Sequence, residues 1–175
     1  RAMDCLVSLI GMPKGAFGVF TSGETAANLS AMVTAREEFR KQEHAKGKKG
    51  LILTSSGAHS SIKAMAKVID VDVLLVETED QMTGEALKAR IAALDETQRR
   101  RLFAVVGTGG TTNAGIVDDL QGIARVCKKQ DLWFHVDAAY GGAALVADSA
   151  RHLFRGIAEA DSITIDPHKW LFSPY

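Results

Sequence analysis

The sequence predicts an α/β fold, a mostly parallel sheet with helices on both faces. Three observations carry that expectation. Short runs rich in Val, Ile and Leu alternate with stretches of helical periodicity. The runs are apolar throughout rather than at every second residue, as strands buried on both sides must be. Small or polar residues follow four of the five runs, at the edge where such sheets bind ligands.

The first helical stretch spans about Ala26 to Lys46, and Ser22 or Thr25 is placed to cap it. LILTSS from Leu51 is the first strand, followed by a helix over Ser61 to Val68. VDVLLVET from Val71 is the second strand, and Thr83 to Leu94 reads as the next helix. LFAVVGT from Leu102 precedes a helix over Leu120 to Gln130. LWFHVD from Leu132, a helix over Ser149 to Ala158 and the strand SITID from Ser162 complete the series. Lys46 to Lys49 fall between a helical pattern and a strand and read as a solvated loop. No internal repeat, low-complexity tract or linker interrupts the alternation, so one domain is expected. The chain opens at Arg1 and stops at Tyr175 inside an apolar run, which leads us to expect residues 1–175 to be a fragment of a longer protein.

Bulk properties narrow the function. Lys plus Arg and Asp plus Glu both number 21 in 175 residues, with no basic run laced with aromatics. That balance argues against nucleic acid or an anionic membrane as partner. No apolar segment reaches the length of a membrane span, and no signal peptide is visible. Cys5 and Cys127 stand singly, without metal or redox spacing, which suits a reducing cytoplasm.

The loops past the strands carry the chemistry. In GVFTSGETAANLSAM, Gly23 allows a tight turn and Thr25 stands near a helix start, where free N–H groups favour an anion such as phosphate. No Lys-Ser/Thr pair follows, so this is not a Walker A loop. In HVDAAYGG, Asp137 ends an apolar strand, where a buried carboxylate needs a cation or donors. Ala138, Ala139, Gly141 and Gly142 leave thin surroundings that a flat group could approach. The same aspartate also suits a structural turn cap. His59 follows the first strand in AHSS and fits a helix cap as well as a site. GTGGTTNAG offers the hydroxyls of Thr111 and Thr112, and its glycines also fit a flexible loop. The last strand leads into DPHKW, bringing Asp166, His168, Lys169 and Trp170 to the same edge. A lysine there also fits a solvated side chain.

Two chemistries could use this set. His59, His135, Asp137, Asp166 and His168 could ligate zinc or iron, and His135 and Asp137 share a strand face. Alternatively, Lys169 forms a Schiff base with an aldehyde cofactor. Pyridoxal phosphate needs a carboxylate at its ring nitrogen, a phosphate seat, and thin or aromatic walls. Asp137, the Gly23 to Thr25 turn, and Ala139 with His59 answer these three needs. The metal reading leaves Lys169 and the turn unused, so the aldehyde reading is the stronger.

The segments FTSGETAANLSAMVTARE, AHSSIKA, HVDAAYGG and DSITIDPHKWL, in this order and spacing, resemble the group II pyridoxal-phosphate-dependent amino-acid decarboxylases. That family includes aromatic amino-acid, glutamate and diaminobutyrate decarboxylases. The resemblance implies the large domain of fold type I, aminotransferase-like, with an N-terminal segment and a C-terminal small domain outside residues 1–175. It implies a homodimer with active sites near the subunit interface and decarboxylation of an L-amino acid to an amine and carbon dioxide. By the same resemblance, Lys169 carries the cofactor, Asp137 partners the ring nitrogen and His59 stacks on the ring. Ala139 supports the opposite face, and Thr111 and His168 lie beside the cofactor. Thr25 and the Glu24 backbone hold phosphate with help from Asp166. The DPHKWLFSPY ending resembles the aromatic-type members, so an aromatic or otherwise bulky substrate is expected. Two positions depart from the family pattern. Glu24 stands in the phosphate turn, where an inward carboxylate would repel phosphate and an outward one would leave the backbone donor intact. Asp166 replaces an asparagine of some members. Another fold type I enzyme, such as a lyase or aminotransferase, and a noncatalytic relative are the alternatives.

Overall fold

The structure, a computed structural model, describes residues 2–174. Five parallel strands form one sheet: β1 (Leu51–Ser55), β2 (Asp72–Val76), β3 (Leu102–Thr108), β4 (Trp133–Asp137) and β5 (Ser162–Thr164), ordered β2-β1-β3-β4-β5. Every residue of β1 and β3 is buried, whereas β2 and β5, at the two edges, are partly exposed. The continuously apolar sequence of the inner strands therefore has its expected cause.

Helices cover both faces, as the alternation predicts. α2 (Glu24–Arg40) and α3 (Ser60–Val68) bury Met32, Ala35, Phe39, Ile62 and Met65 against Ile52, Ala104 and Val106. On the other face, α4 (Gly84–Ala92) and α6 (Leu120–Gln130) bury Leu87, Ile91, Leu120 and Ile123 against Leu51, Leu53, Val105 and Phe134. Neighbouring strand residues point to opposite faces, so Ile52 joins one layer while Leu51 and Leu53 join the other. Two further helices, α1 (Ala2–Ile10) and α5 (Glu96–Arg101), are additions to the sequence reading. The six residues of α5 are polar throughout and show no periodicity. It is held by a capping box in which Asp95 accepts from Gln98 N at 2.8 Å and Gln98 accepts from Asp95 N at 3.2 Å.

Three expectations need correction. The long first helix ends at Arg40, and Glu43–Ala45 forms only a 3₁₀ turn before the solvated Lys46 to Lys49 segment. Neither Ser22 nor Thr25 caps α2; Gly23 holds the N-cap position at φ 137°, a conformation suited to glycine. The helix expected over Ser149 to Ala158 is broken into the short turns Asp148–Arg151, His152–Phe154 and Ile157–Glu159. Gly156 breaks it: φ is +91°, and a side chain there would overlap the backbone of Gln121 at the start of α6.

The strand order fixes where a ligand can sit. From β1 the chain moves outward to β2 and then returns to the other side of β1 as β3. The crevice beyond the carboxyl ends of β1 and β3 is therefore the switch point of the sheet. Register aligns Thr108 of β3 with Asp137 of β4, and Asp137 with Thr164 of β5. Three polar residues thus stand in one row at that edge.

Candidate active site

Glu24, His59, Thr108, Thr111, Asp137, Ala139, Tyr140 and Lys169 converge on this edge. The four that can carry charge arrive from four different elements. β4 delivers Asp137, the turn after β5 delivers Lys169, the start of α3 delivers His59 and the first residue of α2 delivers Glu24. Asp166 shapes the lysine turn by accepting the His168 N–H at 2.9 Å, while Lys169 N donates to Asp166 O at 3.3 Å.

The Glu24 carboxylate bridges the cleft. Its Oε2 is 2.5 Å from Lys169 Nζ, and its Oε1 is 2.8 Å from His59 Nδ1. Ser61 Oγ donates to the same Oε1 at 3.2 Å. With these groups in contact, only about 10 Å³ of open volume remains between the lining side chains. His59 Nδ1 also faces Ser61 N at 3.2 Å, so it both caps α3 and borders the cleft. Unprotonated, that nitrogen accepts from Ser61 N; protonated, it donates to Glu24.

Asp137 is 7% exposed and accepts two neutral donors, Ala139 N at 3.2 Å and Asn28 Nδ2 at 3.0 Å. Burial foremost, then the nearby Glu24 charge, pushes its pKa above the ordinary carboxylate value; the two donors oppose that shift. Among the described residues no cation pairs with it at ion-pair distance. Thr108 Oγ1 is also buried without a hydrogen-bond partner. A buried carboxylate lacking a cation and an unpartnered hydroxyl on the same cleft wall are the features a protonated, flat heterocycle would satisfy. The residues present therefore fit pyridoxal phosphate, once Glu24 turns aside.

Behind Thr108, Asp118 clamps the end of β3. Its two oxygens accept from Thr108 N and Met82 N, each at 2.7 Å. Burial pushes its pKa up to about 6 despite those bonds.

Not every expected residue reaches the cleft. Gly23, Asp166 and His168 line an adjoining groove of about 770 Å³ between α1, α2 and β5, and Thr25 is exposed. His168 Nδ1 lies 3.0 Å from Ser173 O. Of the small residues after β4 only Ala139 borders the cleft. Gly141 lies against the Gly109–Gly110 backbone and Gly142 against Ile165, so their smallness serves packing. His59, His135, Asp137, Asp166 and His168 do not gather into a group that could hold a metal, which removes the basis of the metal reading among the described residues. Sequence reasoning missed Asn28, Ser61, Thr108 and Tyr140. Only Asn28 had a usable signal, an amide at a helical position expected to be apolar.

A lysine, a buried aspartate and a histidine gathered beyond the carboxyl ends of an open parallel sheet define an α/β domain with a candidate ligand site. The comparisons place it further: the chain belongs to the family described as pyridoxal-dependent decarboxylase conserved domain, whose model matches residues 1–175. It is 35% identical to an aromatic-L-amino-acid decarboxylase of Bacillus atrophaeus over 178 residues, 99% of this chain and 36% of the relative. It is 39% identical to an L-2,4-diaminobutyrate decarboxylase of Rhizobium meliloti (strain 1021), covering 99% of this chain and 35% of that one. The crystal structure of mouse CSAD in apo form superposes with a TM-score of 0.87 at 37% identity, over 98% of this chain and 38% of that one. Oryza sativa TDC with PLP and tryptamine gives 0.84 at 25% identity, over 97% of this chain and 40% of that one. The chain thus spans about a third of the length of the curated relatives it matches. Among the described residues no helix is long and apolar enough to cross a membrane.

Proposed function

We propose that the protein decarboxylates an L-amino acid with pyridoxal phosphate, releasing an amine and carbon dioxide, and that this chain is part of its cofactor-binding large domain. One observation carries the reading: Lys169, His59 and the cation-lacking buried Asp137 open onto a single cleft. Bound there, the cofactor supplies an electron sink for the charge left on the substrate's α-carbon when carbon dioxide departs.

The side chains divide the remaining work. Lys169 must lose a proton from Nζ before it acts as a nucleophile, and the contact with Glu24 Oε2 keeps that proton in place until Glu24 turns aside. Ionised Asp137 holds a proton at the ring nitrogen by opposite charge. His59 and Ala139 bound the two sides of the ring site, with the hydroxyls of Thr108 and Thr111 at its margin. The phosphate seat is the start of α2. There the N–H groups of Glu24, Thr25 and Ala26 precede the first intrahelical bond, Ala27 N to Gly23 O at 3.0 Å. Asp166 and His168 act by setting the turn that presents Lys169. Tyr140, which lines the cleft, packs edge-on against Trp170 with ring centroids 5.6 Å apart.

A bulky or aromatic amino acid is the substrate we assign, on the DPHKWLFSPY ending and on the likeness to an aromatic-amino-acid decarboxylase. We assign the protein to the cytoplasm as a homodimer. Unpaired Cys5 and Cys127 support the first, and the exposed apolar Phe17 (89%) and Phe172 (83%) the second.

Borohydride treatment of the full-length protein tests the reading. It should fix the cofactor on Lys169 and abolish the visible band. Carboxyl-labelled amino acids should release labelled carbon dioxide, which separates decarboxylation from transamination or other lyase chemistry. Retention of band and amine production by Lys169→Ala would overturn the assignment.

A further inference from the structure

A file of hydrogen bonds runs beneath Asp137 that no step above uses. Trp133 Nε1 lies 2.8 Å from Ser162 Oγ, and Ser162 Oγ lies 2.8 Å from His135 Nδ1. His135 Nε2 lies 3.0 Å from Asn28 Oδ1, and Asn28 Nδ2 lies 3.0 Å from Asp137 Oδ2. Asn28 and His135 have no exposed surface, so water cannot replace either partner. The parts come from three elements: α2 supplies Asn28, β4 supplies Trp133, His135 and Asp137, and β5 supplies Ser162.

The direction of the file follows from what each group can donate. An indole N–H only donates, so Ser162 Oγ accepts from Trp133, and its own proton is free to go to His135 Nδ1. Burial holds His135 neutral, its pKa lowered to about 4, so it carries a single ring proton, which on Nε2 goes to Asn28 Oδ1. The Asn28 amide nitrogen then faces Asp137. The other end demands the same orientation, because an ionised carboxylate only accepts. Every link agrees, and the last is always a donor aimed at Oδ2.

We infer that Asn28 and His135 are positioning residues, which deliver a fixed hydrogen-bond donor to Asp137 Oδ2 and so keep that carboxylate ionised and directed at the cofactor's ring nitrogen. The inference rests on the reading of Asp137 as the ring-nitrogen partner. A carboxylate deprived of its donor becomes more basic and draws the shared proton from the ring nitrogen to itself. The electron sink is then shallower, although the cofactor stays in place.

The test uses the full-length holoenzyme carrying pyridoxal phosphate isotope-labelled at its ring nitrogen, observed by NMR. In the unaltered protein the ring nitrogen should resonate as protonated and His135 should carry its proton on Nε2. Asn28→Leu should move the ring-nitrogen signal towards the unprotonated position and lower kcat roughly tenfold or more, with KM little changed and borohydride trapping on Lys169 intact. Asn28→Asp should restore the protonated signal at acid pH, where the new carboxyl can donate, and lose it as pH rises. A His135 proton on Nδ1 in the unaltered protein overturns the inference even if the variants do not fold. So does an unchanged ring signal and kcat in folded Asn28→Leu. Absence of trapping on Lys169 in the unaltered protein overturns the underlying reading instead, and the inference with it.

Discussion

Glu24 Oε2 and Lys169 Nζ, 145 residues apart in sequence, meet at 2.5 Å across the cleft. The family resemblance places the Glu24 backbone beside phosphate, and its side chain faces inward rather than away. The pair is largely sheltered, with 30% of the lysine and 12% of the glutamate side chain exposed. Cofactor capture therefore has to separate a charge-assisted contact and turn a carboxylate away from an incoming phosphate.

Glu24→Ala should bind pyridoxal phosphate more tightly. Charge-assisted hydrogen bonds contribute about 1.5–3 kcal/mol, and removing the competing one should lower the cofactor Kd at least about tenfold. Titration of the full-length protein, followed by absorbance, measures this. Weaker binding by the variant would show that Glu24 assists loading rather than opposing it.

Asp137→Ala should retain cofactor on Lys169 and lose turnover. Loss of one preorganised electrostatic partner costs on the order of a hundredfold in kcat. Borohydride trapping with the rate of amine release checks both halves. Unchanged turnover would remove the proposed role.

Asp118 gives a pH signature of its own. Its native pKa of about 6 stands above the ordinary value of 3.8, so the folded chain binds more protons than the unfolded one between those values. Its contribution to stability is then largest below about pH 4 and is lost as pH rises to 6. The full effect is of order 3 kcal/mol at 1.36 kcal/mol per pKa unit. Asp118→Asn should remove that fall, which denaturant midpoints across pH 4 to 7 would reveal as roughly parallel behaviour replaced by a changing difference from the unaltered protein.

Gly156→Ala should destabilise the fold. A positive φ costs a side chain about 1–2 kcal/mol. Here the added carbon would also stand 2.5 Å from Gln121 Cα, which forces the start of α6 to shift. Thermal unfolding should show a lowered Tm. A neutral outcome would mean the turn after Phe154 can rearrange freely.

Much of this was legible in the chain because the relevant forces are local or periodic. Strand positions followed from apolar runs, and the Leu120–Gln130 helix matched its periodicity end to end. His135 and Asp137, two residues apart on β4, share a face as spacing requires, and both meet Asn28. The break at Gly156 was hidden because its cause is a tertiary approach to α6. The inward turn of Glu24 was hidden for a similar reason, since its choice of partner depends on Lys169 at the far end of the chain. Asn28 stood on the apolar face of α2 with Met32, Ala35 and Phe39, but its partners appear only once β4 is laid beneath it.

The wide scatter of the cleft residues along the chain has a consequence for synthesis. Glu24 leaves a ribosome 145 residues before Lys169, so the two can meet only after β5 and the turn that follows it have been made. A nascent or misassembled chain thus offers the vitamin-derived ligand no anchorage, while a finished one gains stability from it by mass action. Colour acquired during translation would report that β5 and its lysine turn had docked beside β4.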